Sequence, residues 1–89
     1  MWDADFDNLF RRQYKRLDSQ LQKRVDDAVA EIVGSEDPTK LGEQKRGHLK
    51  HFYAYDLGRQ YRIIYNISYN TKTIIFSNVG SHKQVYGKD

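Results

Sequence analysis

Cysteine is absent from this 89-residue chain and proline occurs once. Without thiols there can be no disulfide staple and no thiolate metal site, and nothing points to an oxidising compartment, so the cytoplasm is the expected location. Long apolar runs are missing as well. No stretch approaches the roughly 20 residues needed to cross a bilayer, and the first eight residues carry Asp3, Asp5 and Asp7, the reverse of a secretory signal. No membrane partner is expected. There is no internal repeat, no low-complexity tract and no glycine-rich phosphate loop, and no serine or cysteine stands with a histidine as a nucleophile pair. What is present is 38% hydrophobic, 30% charged and 13% aromatic. That balance suits one soluble domain spanning residues 1–89 with a single layered core.

The apolar spacing changes period along the chain. Trp2, Ala4 and Phe6 alternate with aspartates, a period of two that predicts a short strand. Phe10, Tyr14 and Leu17 follow at helical spacing, with Asn8 as the expected cap and Arg11, Arg12, Lys15 and Arg16 on the other face. A second helix is marked by Leu21, Val25, Ala28, Val29 and Ile32, opened by Ser19 and Gln22 in capping-box spacing and closed by Gly34 and Pro38. The short link predicts an antiparallel helix hairpin. Residues 35–47 lack periodicity and are expected to form a loop. Three aromatic and β-branched runs then follow, about Phe52 to Leu57, Tyr61 to Ile67 and Lys72 to Val79, with turns around Gly58 and Asn70. Such short connections require an antiparallel meander. The predicted fold is therefore α+β, in the order β-α-α-β-β-β. Parity places Tyr53, Tyr55, Leu57, Tyr61, Ile63, Tyr65 and Ile67 toward the helices. Phe52, Ala54, Asp56, Arg62, Ile64 and Asn66 fall on an open face, where a ligand site is expected.

Charge is uneven. Nine basic residues, from Lys40 to Lys88, face two acidic ones, Glu43 and Asp56, in the second half of a chain with net charge +3. That excess suits either a polyanionic partner or a solvated surface. Arg62 likewise has two readings. If Gly58, Arg59 and Gln60 make a three-residue loop, Leu57 pairs with Tyr61 and Asp56 sits opposite Arg62, in range of a cross-strand ion pair. Alternatively its guanidinium presents a bidentate fork to a phosphate, with Asp56 orienting it or acting as a base. His82 is either a solvated residue at a strand exit or an acid that protonates a leaving oxygen. Tyr86 either stacks on a base or seals the sheet edge. His48 and His51 lie three apart with no third ligand, so neither a metal nor a cofactor is expected. A metal-free, basic, histidine-bearing surface suits RNA cleavage, because RNA supplies its own nucleophile in the 2′-hydroxyl.

The element order, together with "FRRQYKRLDSQLQKRV", "QYRIIYN" and "VGSHKQVYG", resembles the RelE/ParE superfamily of toxins from toxin-antitoxin modules. The similarity runs nearly end to end. It implies a small toxin which, in the RelE branch, enters the ribosomal A site and cuts mRNA, and which an antitoxin holds inactive. By that resemblance Arg62 matches the phosphate-stabilising arginine, His82 the general-acid position and Tyr86 the C-terminal aromatic that orients substrate. Lys45, Arg46, Lys50, Arg59 and Lys83 are the expected RNA contacts. The chain departs from the family where Ala54 and Asp56 replace basic residues, which leaves Asp56 as the first candidate base and His51 as the second. The ParE branch shares the fold, lacks the catalytic set and poisons DNA gyrase, and it is the alternative implied function.

Overall fold

In the computed structural model, which describes residues 1–44 and 51–81, two helices cover one face of a five-stranded sheet. The elements in order are β1 (Asp3–Phe6), α1 (Asn8–Lys15), α2 (Ser19–Gly34), a 3-10 turn (Pro38–Lys40), β2 (Glu43–Gln44), β3 (Phe52–Gly58), β4 (Tyr61–Ser68) and β5 (Thr73–Ser81). Across the sheet the order is β1-β5-β4-β3-β2. The expected α+β fold and its meander are present. Two edge strands extend the meander: β1 runs parallel to β5, with Phe6 beside Phe76, and β2 pairs antiparallel with β3. The described part of the expected 35–47 loop, residues 35–44, is thus not simply a loop, since it holds the 3-10 turn and a two-residue strand too short to show a period.

Helix starts fall one residue from where the pattern places them. Asp7, not Asn8, is the N-cap position of α1, and its carbonyl accepts from Arg11 N at 3.1 Å. Asp18, not Ser19, caps α2, and its Oδ1 accepts from Leu21 N at 2.8 Å. A carboxylate satisfying an otherwise orphaned N–H stabilises a helix by about 1 kcal/mol. Leu17 lies in the link between helices. Tyr14 ties the helices together: its hydroxyl donates to Asp26 at 2.8 Å and its carbonyl accepts from Gln22 at 3.0 Å.

The core follows the predicted parity. Phe10, Val25, Ala28 and Ile32 from the helices pack on Leu57, Ile63, Tyr65, Ile74, Phe76 and Val79 from the sheet. Phe6 stacks on Phe76 with centroids 5.2 Å apart, and Tyr65 lies 6.1 Å from the same ring. Each fully buried side chain of this size contributes roughly 1.5–3 kcal/mol. Phe76 and Val79 both face inward although they are three apart. A bulge between them absorbs the extra residue, and Ser77 Oγ there donates to Ile64 O at 3.2 Å.

Two further tyrosine hydroxyls, of Tyr55 and Tyr65, have partners. Tyr55 donates to Glu31 on α2, and that bond is the main reason its pKa is pushed up to about 12. Tyr65, completely buried, donates to Pro38 O at 2.7 Å, and burial raises its pKa well above the usual phenol value. Gly42 is the neighbour that lets this happen. A Cβ at Gly42 would stand 2.7 Å from the Tyr65 hydroxyl and 3.1 Å from Ala54 O. Gly42→Ala is expected to cost about 1–3 kcal/mol, as overpacking does, with the loss reduced but not abolished in a Tyr65→Phe background. Denaturant midpoints of the four proteins test this, and equal midpoints for parent and Gly42→Ala would mean that the backbone there yields freely.

Candidate functional site

Arg62 occupies the second position of β4, half-buried on the sheet face away from the helices. Its cross-strand neighbours are Asp56 on β3 and Gly80 on β5. Gly80 brings no side chain, so the guanidinium's only flanking polar group within the ladder is Asp56. The expected pairing of Asp56 with Arg62 therefore holds, but the expected pairing of Leu57 with Tyr61 does not, because the turn differs. Arg59 and Gln60 form a two-residue connection at φ 54° and 64°, Gly58 pairs with Tyr61, and the missing loop residue reappears as a bulge between Asp56 and Gly58. Positive φ at both central positions is what a tight hairpin requires to match strand twist.

Proximity does not produce the expected ion pair. Asp56 Oδ1 accepts from Gly58 N at 2.8 Å, closing the bulge, and among the described residues no ion pair joins Asp56 to Arg62. Arg62 makes no side-chain hydrogen bond among the described residues either. A half-buried guanidinium held in a sheet without a carboxylate is suited to an external oxyanion.

Around it the face is mixed. Phe52 packs on buried Ala54 and Ile64 beside Arg62. Further along β4, Asn66 Oδ1 is buried with no hydrogen-bond partner among the described residues, an acceptor that the sequence placed on this face without a role. Trp2 and Phe6 pack inward, so Asp3 and Asp5 of β1 lie on the open face beside Thr73 and Ile75. Glu43 enters beside Ala54 from β2. Among the described residues this face holds Asp3, Asp5, Glu43 and Asp56 against the single cation Arg62.

The described cations cluster elsewhere. Arg59 leans away from Arg62 and pairs with Asp18 at the start of α2, Nη2 to Oδ2 at 3.6 Å. Arg24 donates to Leu57 O at 3.1 Å on the same helix side. On α1, Arg11, Arg12, Lys15 and Arg16 are exposed. Between α1 and α2 runs a groove of about 530 Å³ floored by Phe6, Phe10, Val25 and Val29, with Arg11 and Lys15 on its rim. His51 is exposed just before β3. The other sequence candidates, Lys45, Arg46, Lys50, His82, Lys83 and Tyr86, lie outside the described residues. β5 ends at Ser81, one residue past Gly80, so residue 82 is covalently within two Cα steps of Arg62's ladder partner.

The family described as ParE-like toxin of type II bacterial toxin-antitoxin system matches residues 6–88. No curated protein sequence matches significantly. Among solved structures, the isolated E. coli RelE toxin superposes with a TM-score of 0.77 at 20% identity, covering 98% of this chain and 93% of that one. The RelE chain of the RelB-RelE antitoxin-toxin complex from Methanococcus jannaschii gives 0.71 at 23% identity, over 93% and 95% of the two chains. A YoeB/ParE toxin from Agrobacterium tumefaciens gives 0.74 at 12% identity, over 90% and 98%. At these identities the likeness is one of fold.

Proposed function

This chain belongs to the ParE-like toxins of type II bacterial toxin-antitoxin systems, and from that premise we propose that it is an endoribonuclease that cuts mRNA in the ribosomal A site. The observation that carries this reading is Arg62, a half-buried cation on the open face with no carboxylate partner among the described residues. In the proposed reaction the 2′-hydroxyl attacks the adjacent phosphorus and the bond to the 5′-oxygen breaks. The products are a 2′,3′-cyclic phosphate and a 5′-hydroxyl end. Arg62 forks onto the non-bridging oxygens, where negative charge gathers in the transition state. Asp56 takes the 2′-proton through Oδ2, since Oδ1 is held by Gly58 N. His82 returns a proton to the leaving 5′-oxygen, and Tyr86 stacks on a base. Lys45, Arg46, Lys50 and Lys83 supply further cationic contacts. Arg59, turned to Asp18, is left out of the substrate set.

A second reading has one specific observation in its favour. The acidic surplus on the described part of the open face repels a polyanion and suits a ParE-like toxin that binds DNA gyrase without cutting RNA. Two assays separate them. Primer extension on a translated message shows cuts if the nuclease reading holds; halted supercoiling with the message intact would move the assignment to gyrase.

The partner proposed to hold the toxin inactive is a cognate antitoxin, as in the RelB-RelE complex whose toxin chain this fold matches. Its fit is to the groove between α1 and α2, where an amphipathic helix would seat its apolar face on the partly exposed Phe6 and Val29 and turn carboxylates toward Arg11 and Lys15. Val29→Lys is expected to weaken antitoxin binding at least tenfold, about 1.4 kcal/mol, while toxicity persists. Titration of toxin activity with antitoxin checks it, and undiminished neutralisation would move the antitoxin off this groove.

A further inference from the structure

β1 covers β5 only from Thr73 to Phe76. The chain then leaves the sheet, with Asp7 N donating to Phe76 O at 3.0 Å as α1 begins. β5 runs on to Ser81, and among the described residues no strand flanks residues 77–81 on that outer edge. Their inner edge rests on β4, where Ser77 is the extra residue of the bulge and Gly80 and Ser81 face Arg62 and Tyr61. A strand end with a bare edge and a bulge at its root opens more readily than one paired on both sides.

One side chain closes part of that edge. Gln13 Oε1 accepts from Val79 N at 2.8 Å, and since only the amide oxygen can take an N–H, this bond fixes how the half-buried Gln13 is turned. Val79 itself is buried in the core. Gln13 is carried by a helix that is held without β5's last residues: Phe10 lies in the core, and Tyr14 is tied to α2 through Asp26 and Gln22. The acceptor therefore stands on a fixed mount, one residue along the chain from the position opposite Arg62.

We propose that Gln13 is a positioning residue for cleavage: by pinning Val79 it holds the end of β5 in register, and with it the point from which His82 enters the site. The proposal deepens the endoribonuclease reading and rests on it, including His82 as the acid. Its effect falls on the acid more than on Arg62. β4 lies between β3 and β5, so Arg62 keeps its pairing with Asp56 when the end of β5 loosens, whereas the chain past Ser81 starts wherever that end lies.

Gln13→Leu removes the acceptor at similar size, and Gln13→Glu keeps an oxygen at the same reach. In the full chain, below its melting transition, the Val79 amide should exchange about tenfold faster in Gln13→Leu and near the parental rate in Gln13→Glu. On a translated message kcat should fall about 10- to 100-fold in Gln13→Leu with KM little changed, and recover in Gln13→Glu. On a substrate with sulfur in place of the 5′-bridging oxygen, whose leaving group needs no proton, the fall should nearly vanish. It should also vanish in a His82→Ala background and persist in an Arg62→Ala background, because only residues acting as a unit fail to add. Should Gln13→Leu not fold, Gln13→Met takes its place. A fall of equal size on both substrates, one that adds fully to His82→Ala, or a lower melting temperature with kcat intact would each overturn the positioning role. If the parent cuts no message, the endoribonuclease reading falls and the role with it; if parent and Gln13→Leu cut alike, only the role falls.

Discussion

Arg62→Ala should slow cleavage of a translated message about 10²- to 10³-fold, the usual consequence of removing one preorganised group that stabilises developing negative charge. Folding should be little affected. Arg62 sits on the open face, outside the cluster around Phe76, and has no ion pair among the described residues to lose. Circular dichroism and a melting curve separate the two effects. Arg62→Lys is expected to recover only part of the rate, because an ammonium gives one point contact where the fork gives two parallel bonds. If both variants cut at the parental rate, Arg62 is a structural residue and the phosphate site lies elsewhere.

His82→Ala should cost about 10²- to 10⁴-fold in cleavage, the range for loss of a general acid. The histidine lies outside the described residues, and the case for it rests on chain connectivity and chemistry. β5 ends at Ser81, next to Gly80 opposite Arg62, and a leaving 5′-oxygen needs a proton. The reading gives this variant a signature beyond its rate. A substrate with a sulfur in place of the 5′-bridging oxygen leaves without protonation, so the His82→Ala deficit should largely vanish on it, while the Arg62→Ala deficit should persist. A deficit equal on both substrates would take His82 out of the acid role. If both variants arrest growth as strongly as the parent and gyrase is inhibited, the non-catalytic reading replaces this one.

Much of the site's framework is legible in residues 52–79 because strands write their faces into parity. Tyr65 and Ile63 go in and Ile64 and Arg62 go out, as alternation requires. Alternation alone suggests that Asp56 meets Arg62 across a three-residue loop, whereas the chain uses a two-residue turn and a bulge. The outcome is the same because the residue taken from the loop was returned to the strand. The ion pair did not form, since the bulge exposes Gly58 N, and a backbone donor two residues away reaches Asp56 first. The cap shifts at Asp7 and Asp18 have a similar local cause: in each case an adjacent acidic residue, not the polar residue after it, ends in the extended conformation a cap needs.

The sequence by itself determined the layer arrangement, the inward and outward sets of the meander, the presence of Arg62 on the open face, and a first helix whose charged residues are all cations. These depend on spacing within a few residues, and local geometry enforces them. Only the tertiary structure decided where the charges stand relative to one another. Counted along the chain, the C-terminal half is basic; folded, its described open face is acidic but for Arg62, because parallel pairing brings Asp3 and Asp5 beside β5. The same fold sets α1 against the end of β5 through Gln13 and Val79, residues 66 apart in sequence. Contacts between such distant positions are chosen by which surfaces can bury together, and no local pattern records that choice.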